Sequence, residues 1–233
     1  MIGYYTDNSV SHTAMKAFSR RGIPVKHIRE FDNTKPGIFY GILRGTGMAM
    51  RILKDRGINF WYVDNGYFDA VYMNEGKRKD MGGTYRIVKN GLLDVYEGGT
   101  KSVVPKRPLH VLMMPPSPYS AFMHDTTPED WQLTYGQKLH DLGHTRKKRD
   151  KTETIPLEDD LRDCDAVLAF NSMGVVKAIE MGKAAYTTHG IVTHATIPDK
   201  HVVYYDINDL KEFYADKQFT LEEIADQGVK CIR

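Results

Sequence analysis

Short apolar runs alternate with helix-like segments through the first third of the chain. The predicted strands are 2–6, 23–28, 38–44 and 58–63, and the predicted helices are 9–21 and 48–56. Gly22 and Gly57 each follow a basic last turn, which is a common helix end because glycine accepts the left-handed conformation and cations suit the helix C-terminus. Strands that alternate with helices predict a parallel sheet.

A second alternating series starts after Pro105. Its predicted strands are 109–114, 144–148, 165–170, 184–188 and 201–206, with a helix that starts after Thr127 and others near 173–181, 208–216 and 221–226. Residues 74–108 are rich in glycine and basic residues and interrupt the pattern. We therefore predict an α/β fold of two Rossmann-like lobes, 1–105 and 106–233, with mainly parallel sheets and a cleft between them.

Composition excludes several classes of protein. Hydrophobic residues make up 41% and charged residues 27% of the 233 residues, which is the balance of a soluble globular protein. The formal net charge is only +2, so attraction to a polyanion must come from local clusters. Cys164 and Cys231 lie far apart without a CxxC pattern, so neither a zinc site nor a disulfide is predicted. The first residues resemble a strand, and no apolar run approaches the roughly 20 residues that span a bilayer, so we predict a cytoplasmic protein without a membrane partner.

Ligands of open α/β sheets bind beyond the carboxyl ends of the strands, and four such places carry candidate residues. The first is Asn171-Ser172-Met173-Gly174, between a predicted strand and a helix. Backbone N–H groups and the Ser172 hydroxyl there suit a phosphate. The alternative is an ordinary capping serine.

The second place is a basic cluster at the end of the predicted strand 144–148. Strand alternation sends neighbouring side chains to opposite faces, so that one pair can converge on a diphosphate. The two pairs are Arg146 with Lys148 and Lys147 with Arg149. The alternative is a solvated run of charges.

The third place is Asp64-Asn65, which follows the apolar strand 58–63. A carboxylate in this position suits a general base that takes a proton from an acceptor hydroxyl. The alternative is a turn, because Asp-Asn-Gly is also strong turn chemistry and Asp64 can close it through its own side chain.

The fourth place, Arg44-Gly-Thr-Gly47, is neither a complete GxGxxG nor a Walker sequence, which argues against a nicotinamide enzyme and a P-loop kinase. His189 follows the predicted strand 184–188 and is a candidate ligand contact. Two histidines, His189 and His194, without further ligands do not indicate a metal, and we predict none.

Several of these segments together resemble two-lobed glycosyltransferases of the GT-B type, including capsule-type enzymes and small bacteriophage-borne proteins. The strongest element is Asn171-Ser172 with Ala178 and Gly182, which is similar to their donor-site element. The other matching segments are 62–68 ("D-x-G-Y-F"), 84–90 ("Y-R-x-x-x-N"), 155–161 ("P-L-x-x-D-L") and 218–224. The chain departs from the pattern at two positions, where Lys177 and Lys183 replace an acid and a proline; Glu180 is the candidate substitute for the acid.

The resemblance implies a nucleotide-sugar donor, with a UDP-sugar favoured, in the second lobe, an acceptor in the first, and no required cofactor. The donor contacts would be Arg146, Lys148, Arg149, Asn171, Ser172, Met173, Gly174, Glu180 and His189. The acceptor contacts would be Arg44, Asn65, Tyr67, Lys77, Arg78, Lys79 and Arg86, with Asp64 as the catalytic base.

For the acceptor we favour a hydroxymethylated base in double-stranded phage DNA, which would place the protein in the host cytoplasm. Basic residues of the first lobe are interleaved with aromatic residues that would stack on an extruded base. These aromatic residues are Tyr67, Phe68, Tyr72 and Tyr85. The alternatives are a polysaccharide glycosyltransferase and a catalytically inactive nucleotide- or DNA-binding module of the same fold. The sequence predicts no oligomeric state.

Overall fold

The computed structural model describes residues 1–68, 83–93, 95–98, 101–150, 154–192 and 202–231. Its elements in chain order are β1 (Ile2–Tyr5), α1 (Ser9–Ser19), β2 (Val25–His27), β3 (Gly37–Tyr40), α2 (Thr46–Asp55), β4 (Phe60–Asn65), β5 (Tyr85–Lys89), β6 (Lys101–Val103), β7 (His110–Met114), α3 (Pro118–Met123), α4 (Pro128–Asp141), β8 (Thr145–Lys148), α5 (Leu157–Arg162), β9 (Ala166–Ala169), α6 (Gly174–Glu180), β10 (Ala184–Thr187), β11 (Val202–Tyr204), α7 (Ile207–Tyr214), β12 (Gln218–Phe219) and α8 (Leu221–Gln227). Short 3-10 helices lie at Ile28–Glu30 and Gly228–Cys231.

The chain forms two compact units whose boundaries differ from the predicted lobes 1–105 and 106–233. The first unit comprises Met1–Leu92 and Tyr214–Arg233, and the second comprises Leu93–Phe213. The C-terminal segment belongs to the first unit because β12 pairs with β5 and α8 packs against α1. Conversely, β6 falls within the predicted first lobe but belongs to the second unit, because it pairs with β11.

The first unit has a six-stranded sheet in the order β12-β5-β4-β3-β1-β2. The strands β2, β1, β3 and β4 are parallel, as predicted, whereas β5 and β12 add an antiparallel edge. Met15 and Phe18 of α1 are fully buried in one core cluster with Ile38, Val63 and Ile224. The hydrophobic stripe of α1 therefore packs on the parallel part of the sheet and holds its strand ends in place.

The second unit has a four-stranded, wholly parallel sheet in the order β10-β9-β7-β8 and a two-stranded β6-β11 ribbon. Its core cluster includes Trp131 of α4 with Val111 and Leu168 from the sheet. Thr127 caps α4 by accepting a hydrogen bond from the Asp130 amide at 3.0 Å, which confirms the predicted helix start. Both units are thus α/β with mainly parallel sheets, as predicted.

The two cysteines, Cys164 and Cys231, are buried free thiols. Within the described ranges, the structure contains no helix with the length and apolar character needed to cross a bilayer.

Candidate functional site

The second-unit sheet reverses its strand order at β7. The strand that follows β7 along the chain, β8, lies on one side of it, while β9 and then β10 lie on the other side. Such a reversal is a topological switch point, where the loops that leave the two central strands diverge and open a crevice for a ligand. The loops after β7, β9 and β10 form what we call the second-unit site. Its residues are Ser117, Ser120, His124, Asn171, Ser172, Thr188 and His189.

A hydrogen bond joins the two loops at the switch point. The Asn171 side-chain amide, after β9, donates to the hydroxyl of buried Ser120, on α3 after β7, at 2.7 Å. Ser172 accepts from the Gly174 amide at 3.2 Å, but the N-cap of α6 is Met173, which makes no side-chain capping bond. The Ser172 hydroxyl still has a proton to donate to a ligand. Asn171 and Ser172 are half-buried, and Met173 and Gly174 follow them into α6.

Two histidines meet at the same edge of the sheet. The ring of His189, after β10, stacks on buried Phe170 with 4.3 Å between centroids and lies 4.5 Å from the ring of His124. Thr188 contacts Nδ1 of His189 at 3.1 Å and accepts from Trp131 Nε1 at 2.9 Å, which fixes the orientation of the imidazole. Within the described part of the chain, no three His, Cys, Asp or Glu residues form a group that could hold a metal ion.

Glu180 lies away from the other predicted donor contacts. It is the last residue of the seven-residue α6, about 9 Å along the helix from Gly174 at a rise of 1.5 Å per residue. Its carboxylate is exposed and lies 3.7 Å from the Lys177 ammonium, which also pairs with Glu158 at 3.5 Å. The structure therefore does not bring Glu180 together with Ser172.

The basic strand β8 is an edge strand whose side chains alternate as predicted. Lys147 and Arg149 lie on one face, and both pair with the buried carboxylate of Asp160 on α5; the lysine distance is 2.6 Å. Hydrogen bonding from Lys147, against the opposing effect of burial, lowers the pKa of Asp160, and Arg149 lowers it further. This pair therefore converges on a carboxylate of the protein.

On the other face of β8, Lys148 pairs with Asp150 at 2.9 Å. The exposed Arg146 lies over Gly136 of α4, where an added Cβ would come within 2.5 Å of its Nη1 atom. Arg146 is thus the predicted diphosphate contact for which the structure shows no acidic partner among the described residues.

Asp64 lies within β4, opposite Arg86 of β5, and not in a turn. Its Oδ2 atom accepts from the Tyr62 hydroxyl at 2.7 Å and from Arg86 Nη2 at 3.1 Å. Burial, together with the charge of Asp64, raises the pKa of Tyr62 well above its usual range. Burial, the largest single influence, would lower the pKa of the Arg86 guanidinium, but Asp64, Tyr62 and Tyr67 together outweigh it and the pKa is raised. The turn interpretation is therefore wrong, because the cross-strand ion pair keeps this segment extended.

The predicted acceptor contacts fall into three groups. Arg86 and Tyr67 are buried next to Asp64, with the guanidinium 5.3 Å from the Tyr67 ring centroid. Asn65 ends β4, and the exposed Arg44 follows the neighbouring β3, so both lie at the carboxyl edge of the parallel strands near Asp64. Lys77, Arg78 and Lys79 lie outside the described residues.

The aromatic residues predicted to stack on a base are mostly part of the core. Tyr67 stacks on Tyr214 with 4.0 Å between centroids, and Tyr67, Phe68 and Tyr85 are all buried. Their rings do not present an open face to a base in this structure. Tyr72, the fourth of the set, lies outside the described residues.

Sequence reasoning missed several residues at these edges. In the second unit these are Ser117, Ser120 and His124, which follow β7. The signal was present, since Ser117 caps α3 and Pro118 occupies its first turn, but Pro115 and Pro116 directly before it are typical of a loop. In the first unit, Asp7 after β1 pairs with His27 at 3.0 Å and with Arg29 at 3.1 Å.

Comparison with protein-family models finds no match, and neither does comparison with curated protein sequences. Among solved structures, the chain is similar to Thermosulfurimonas dismutans KpsC, beta Kdo 2,4 transferase, with a TM-score of 0.43 and 9% identity over 80% of this chain and 79% of that chain. It is also similar to Thermosulfurimonas dismutans KpsC, beta Kdo 2,7 transferase, with a TM-score of 0.43 and 10% identity over 100% of both chains. At such values the likeness assigns neither an activity nor a substrate to this chain.

Proposed function

We propose that the protein is a glycosyltransferase that moves a sugar from a nucleotide-sugar donor to an acceptor hydroxyl. The observation that carries the proposal is the second-unit site, where a hydrogen bond between Asn171 and Ser120 joins two loops at the reversal of the strand order. The resemblance of the Asn171–Gly182 element to glycosyltransferase donor sites supports a nucleotide sugar, with a UDP-sugar favoured, as the ligand. No cofactor or metal is part of the proposal.

The second-unit site offers hydrogen-bond donors to a departing diphosphate. Asn171 contributes an amide, Ser172 a hydroxyl, and His124 and His189 contribute imidazole rings next to one another. Oriented donors of this kind stabilise negative charge as it develops on a leaving group. The contacts of His189 with Phe170 and Thr188 limit the reorganisation that binding would require.

Asp64 is the proposed base on the first unit. Arg86 and Tyr62 orient the carboxylate, and the contacts described for it all involve Oδ2. The Oδ1 atom of the same carboxylate is then the one that would take the proton from an acceptor hydroxyl. Geometry of this kind suits general base catalysis, which needs an ionised group held in a fixed orientation.

Incubation of the protein with a panel of nucleotide sugars, followed by mass spectrometry, tests the proposal. We expect slow hydrolysis of one donor, because water replaces the missing acceptor. Ser172→Ala should weaken binding of that donor by about 1.5 kcal/mol or more in calorimetry, as for a lost hydrogen bond to a charged group. Lys177→Met is the matched control, because the ion pairs of Lys177 with described residues, Glu158 and Glu180, are exposed.

A catalytically inactive binding module of the same fold is the second candidate. This candidate is favoured because three of the basic residues at β8 pair with carboxylates of the protein. Lys147 and Arg149 pair with Asp160, and Lys148 pairs with Asp150. A nucleotide sugar that binds without hydrolysis or transfer to any acceptor would support the module. If no nucleotide sugar binds at all, the glycosyltransferase proposal fails.

For the acceptor we propose a hydroxymethylated base in double-stranded DNA, whose primary alcohol Asp64 would deprotonate. Binding of duplex DNA should then weaken steeply with salt, and Lys77-Arg78-Lys79→Ala should reduce the slope by up to about three units. Absence of DNA binding at low salt, together with transfer to an oligosaccharide, would instead identify a polysaccharide acceptor.

A further inference from the structure

A groove of about 560 Å³ lies at the amino-terminal edge of the second-unit sheet, opposite the carboxyl edge that carries the second-unit site. The strands of this sheet are parallel, and the groove is lined by residues that come immediately before three of them. Leu109 precedes β7, Asp165 precedes β9 and Lys183 precedes β10. The groove shares no residue with the second-unit site, and its volume is in the range of small-molecule sites.

The described residues that line the groove carry three positive charges and one negative charge. Arg107 and Asp165 neutralise each other through two hydrogen bonds of 2.7 and 3.0 Å. The remaining cations are Lys106, which is exposed, and Lys183. The groove thus retains two ammonium groups whose charge is not balanced by an acid in its described lining.

Lys183 is held in place by the backbone. Its Nζ atom donates to the carbonyl of Cys164 at 2.7 Å and to that of Arg162 at 3.3 Å. Carbonyl groups orient the ammonium without cancelling its charge, and an ammonium has a third proton to donate. Lys183 is one of the two residues that depart from the glycosyltransferase pattern. It lies at the amino edge of the sheet, away from the second-unit site.

The rest of the lining is largely apolar. Val103 of β6 and Val202 of β11 face the groove together with Leu109, Pro105 and Tyr204. Cys164 also lines it, and burial raises the pKa of its thiol, so this residue adds no negative charge to the groove. An apolar wall beside two ammonium groups suits a ligand that is apolar at one end and anionic at the other.

We infer that this groove binds a small organic phosphate monoester, with the phosphate at Lys106 and Lys183 and the organic part against Val103, Leu109 and Val202. A phosphate monoester carries close to two negative charges at neutral pH and so matches two ammonium groups, whereas a carboxylate would neutralise only one. Lysine suits this role because its ammonium is a compact point charge that needs no planar partner.

Calorimetry with phenyl phosphate, benzoate and inorganic phosphate tests the inference on the full chain. We expect phenyl phosphate to bind more tightly than either benzoate or inorganic phosphate. Lys106→Met and Lys183→Met should each weaken its binding about tenfold, the effect of losing one hydrogen bond to a charged group. Lys106 is exposed, so its variant keeps the test valid if Lys183→Met fails to fold. Lys177→Met is the matched lysine control and should bind phenyl phosphate normally.

Four results would overturn the inference. Unchanged binding in both groove variants would do so, as would equal affinity for phenyl phosphate and inorganic phosphate. Loss of binding in Ser172→Ala would show that phenyl phosphate occupies the second-unit site. If only a DNA oligonucleotide binds, and the same lysine variants weaken it, the groove belongs to a nucleic-acid surface. The outcome does not depend on the glycosyltransferase proposal, since neither lysine belongs to the proposed donor or acceptor site.

Discussion

Asp64 in the first unit and Asp160 in the second are both aspartates that accept hydrogen bonds from an arginine and one further side chain. Asp160 uses both oxygens, since Lys147 contacts Oδ1 and Arg149 contacts Oδ2, and only 3% of its side chain is exposed. Asp64 accepts hydrogen bonds from Tyr62 and Arg86 on the same oxygen, Oδ2, and 30% of its side chain is exposed.

The difference separates a structural carboxylate from a candidate reactive one. Both oxygens of Asp160 are engaged by cations, so its role is to hold β8 against α5. In Asp64 the described side-chain contacts fall on Oδ2 and the side chain is partly exposed, so Oδ1 is the atom at which we expect a substrate hydroxyl. An arginine partner alone therefore does not distinguish the two roles; the distribution of contacts over the two oxygens does.

The largest expected effect is the loss of stability when the structural carboxylate, Asp160, is removed. Asp160→Ala should lower the free energy of unfolding by about 3 kcal/mol, the lower end for breaking a buried ion pair, because Lys147 keeps access to solvent. Urea unfolding followed by circular dichroism measures this loss. Asp150→Ala is the control and should cost less than about 1 kcal/mol, because it breaks only an exposed pair with Lys148. An equal loss in both variants would show that Asp160 has no special structural role.

The next effect is on turnover at the reactive member. Asp64→Asn should leave donor affinity nearly unchanged and lower sugar transfer roughly 100-fold or more, because a general base acts mainly in the transition state. Transfer assays with the donor and acceptor identified as above measure it, with calorimetry for the donor. Asp160→Asn, assayed where it is folded, should transfer normally. Full turnover in Asp64→Asn would make Asp64 a structural residue as well.

Arg146 of β8 and Arg149, the residue directly after β8, extend the comparison. Arg149 is largely buried against Asp160, whereas Arg146 is exposed over Gly136. Arg146→Ala should therefore weaken donor binding by about 1.5 kcal/mol with little change in stability, and Arg149→Ala should chiefly lower stability. Calorimetry and urea unfolding of both variants separate the effects. Unchanged donor affinity in Arg146→Ala would remove Arg146 from the donor site.

The sequence predicted the parallel strands well, and most of them leave local apolar runs because they are buried, with the exposed, basic β8 as the exception. It also predicted that Lys147 and Arg149 share a face, since that follows from strand alternation alone. It did not identify Asp160 as their partner, because the pairing depends on how α5 packs beside β8. Local pattern thus gives the direction of a side chain but not the group that it meets.

Errors in the first unit have a similar origin. Asp64-Asn65-Gly66 is turn chemistry when read alone, but pairing of β4 with β5 across a long sequence separation keeps it extended. The two-residue β12 is too short to show a period, so the return of the C-terminal segment to the first unit left no local signal. Tyr67 stays a predicted ligand contact, although its ring is buried, because aromatic residues near basic ones suit both a binding surface and a core.

The smallest expected effect is on the acid dependence of stability, and it also tests the structural role of Asp160. Lys147 and Arg149 lower the pKa of Asp160 in the folded protein below its value of about 3.9 in the unfolded chain. A carboxylate with a lowered folded pKa contributes stability that is fully present above the unfolded pKa and is lost as pH falls through the folded pKa. The wild-type protein should therefore lose this contribution below about pH 4.

Asp160→Asn has no carboxylate at this position, so it lacks the pH-dependent contribution of Asp160 to stability. The difference in unfolding free energy between wild type and Asp160→Asn should be constant above about pH 5 and should shrink as pH falls below about 4. Glu158 and Asp165 also have lowered pKa values, but both remain in each protein, so subtraction removes their effect. Urea unfolding at a series of pH values measures the difference. A difference that stays constant down to pH 2 would show that Asp160 is not held as an ionised carboxylate by Lys147 and Arg149.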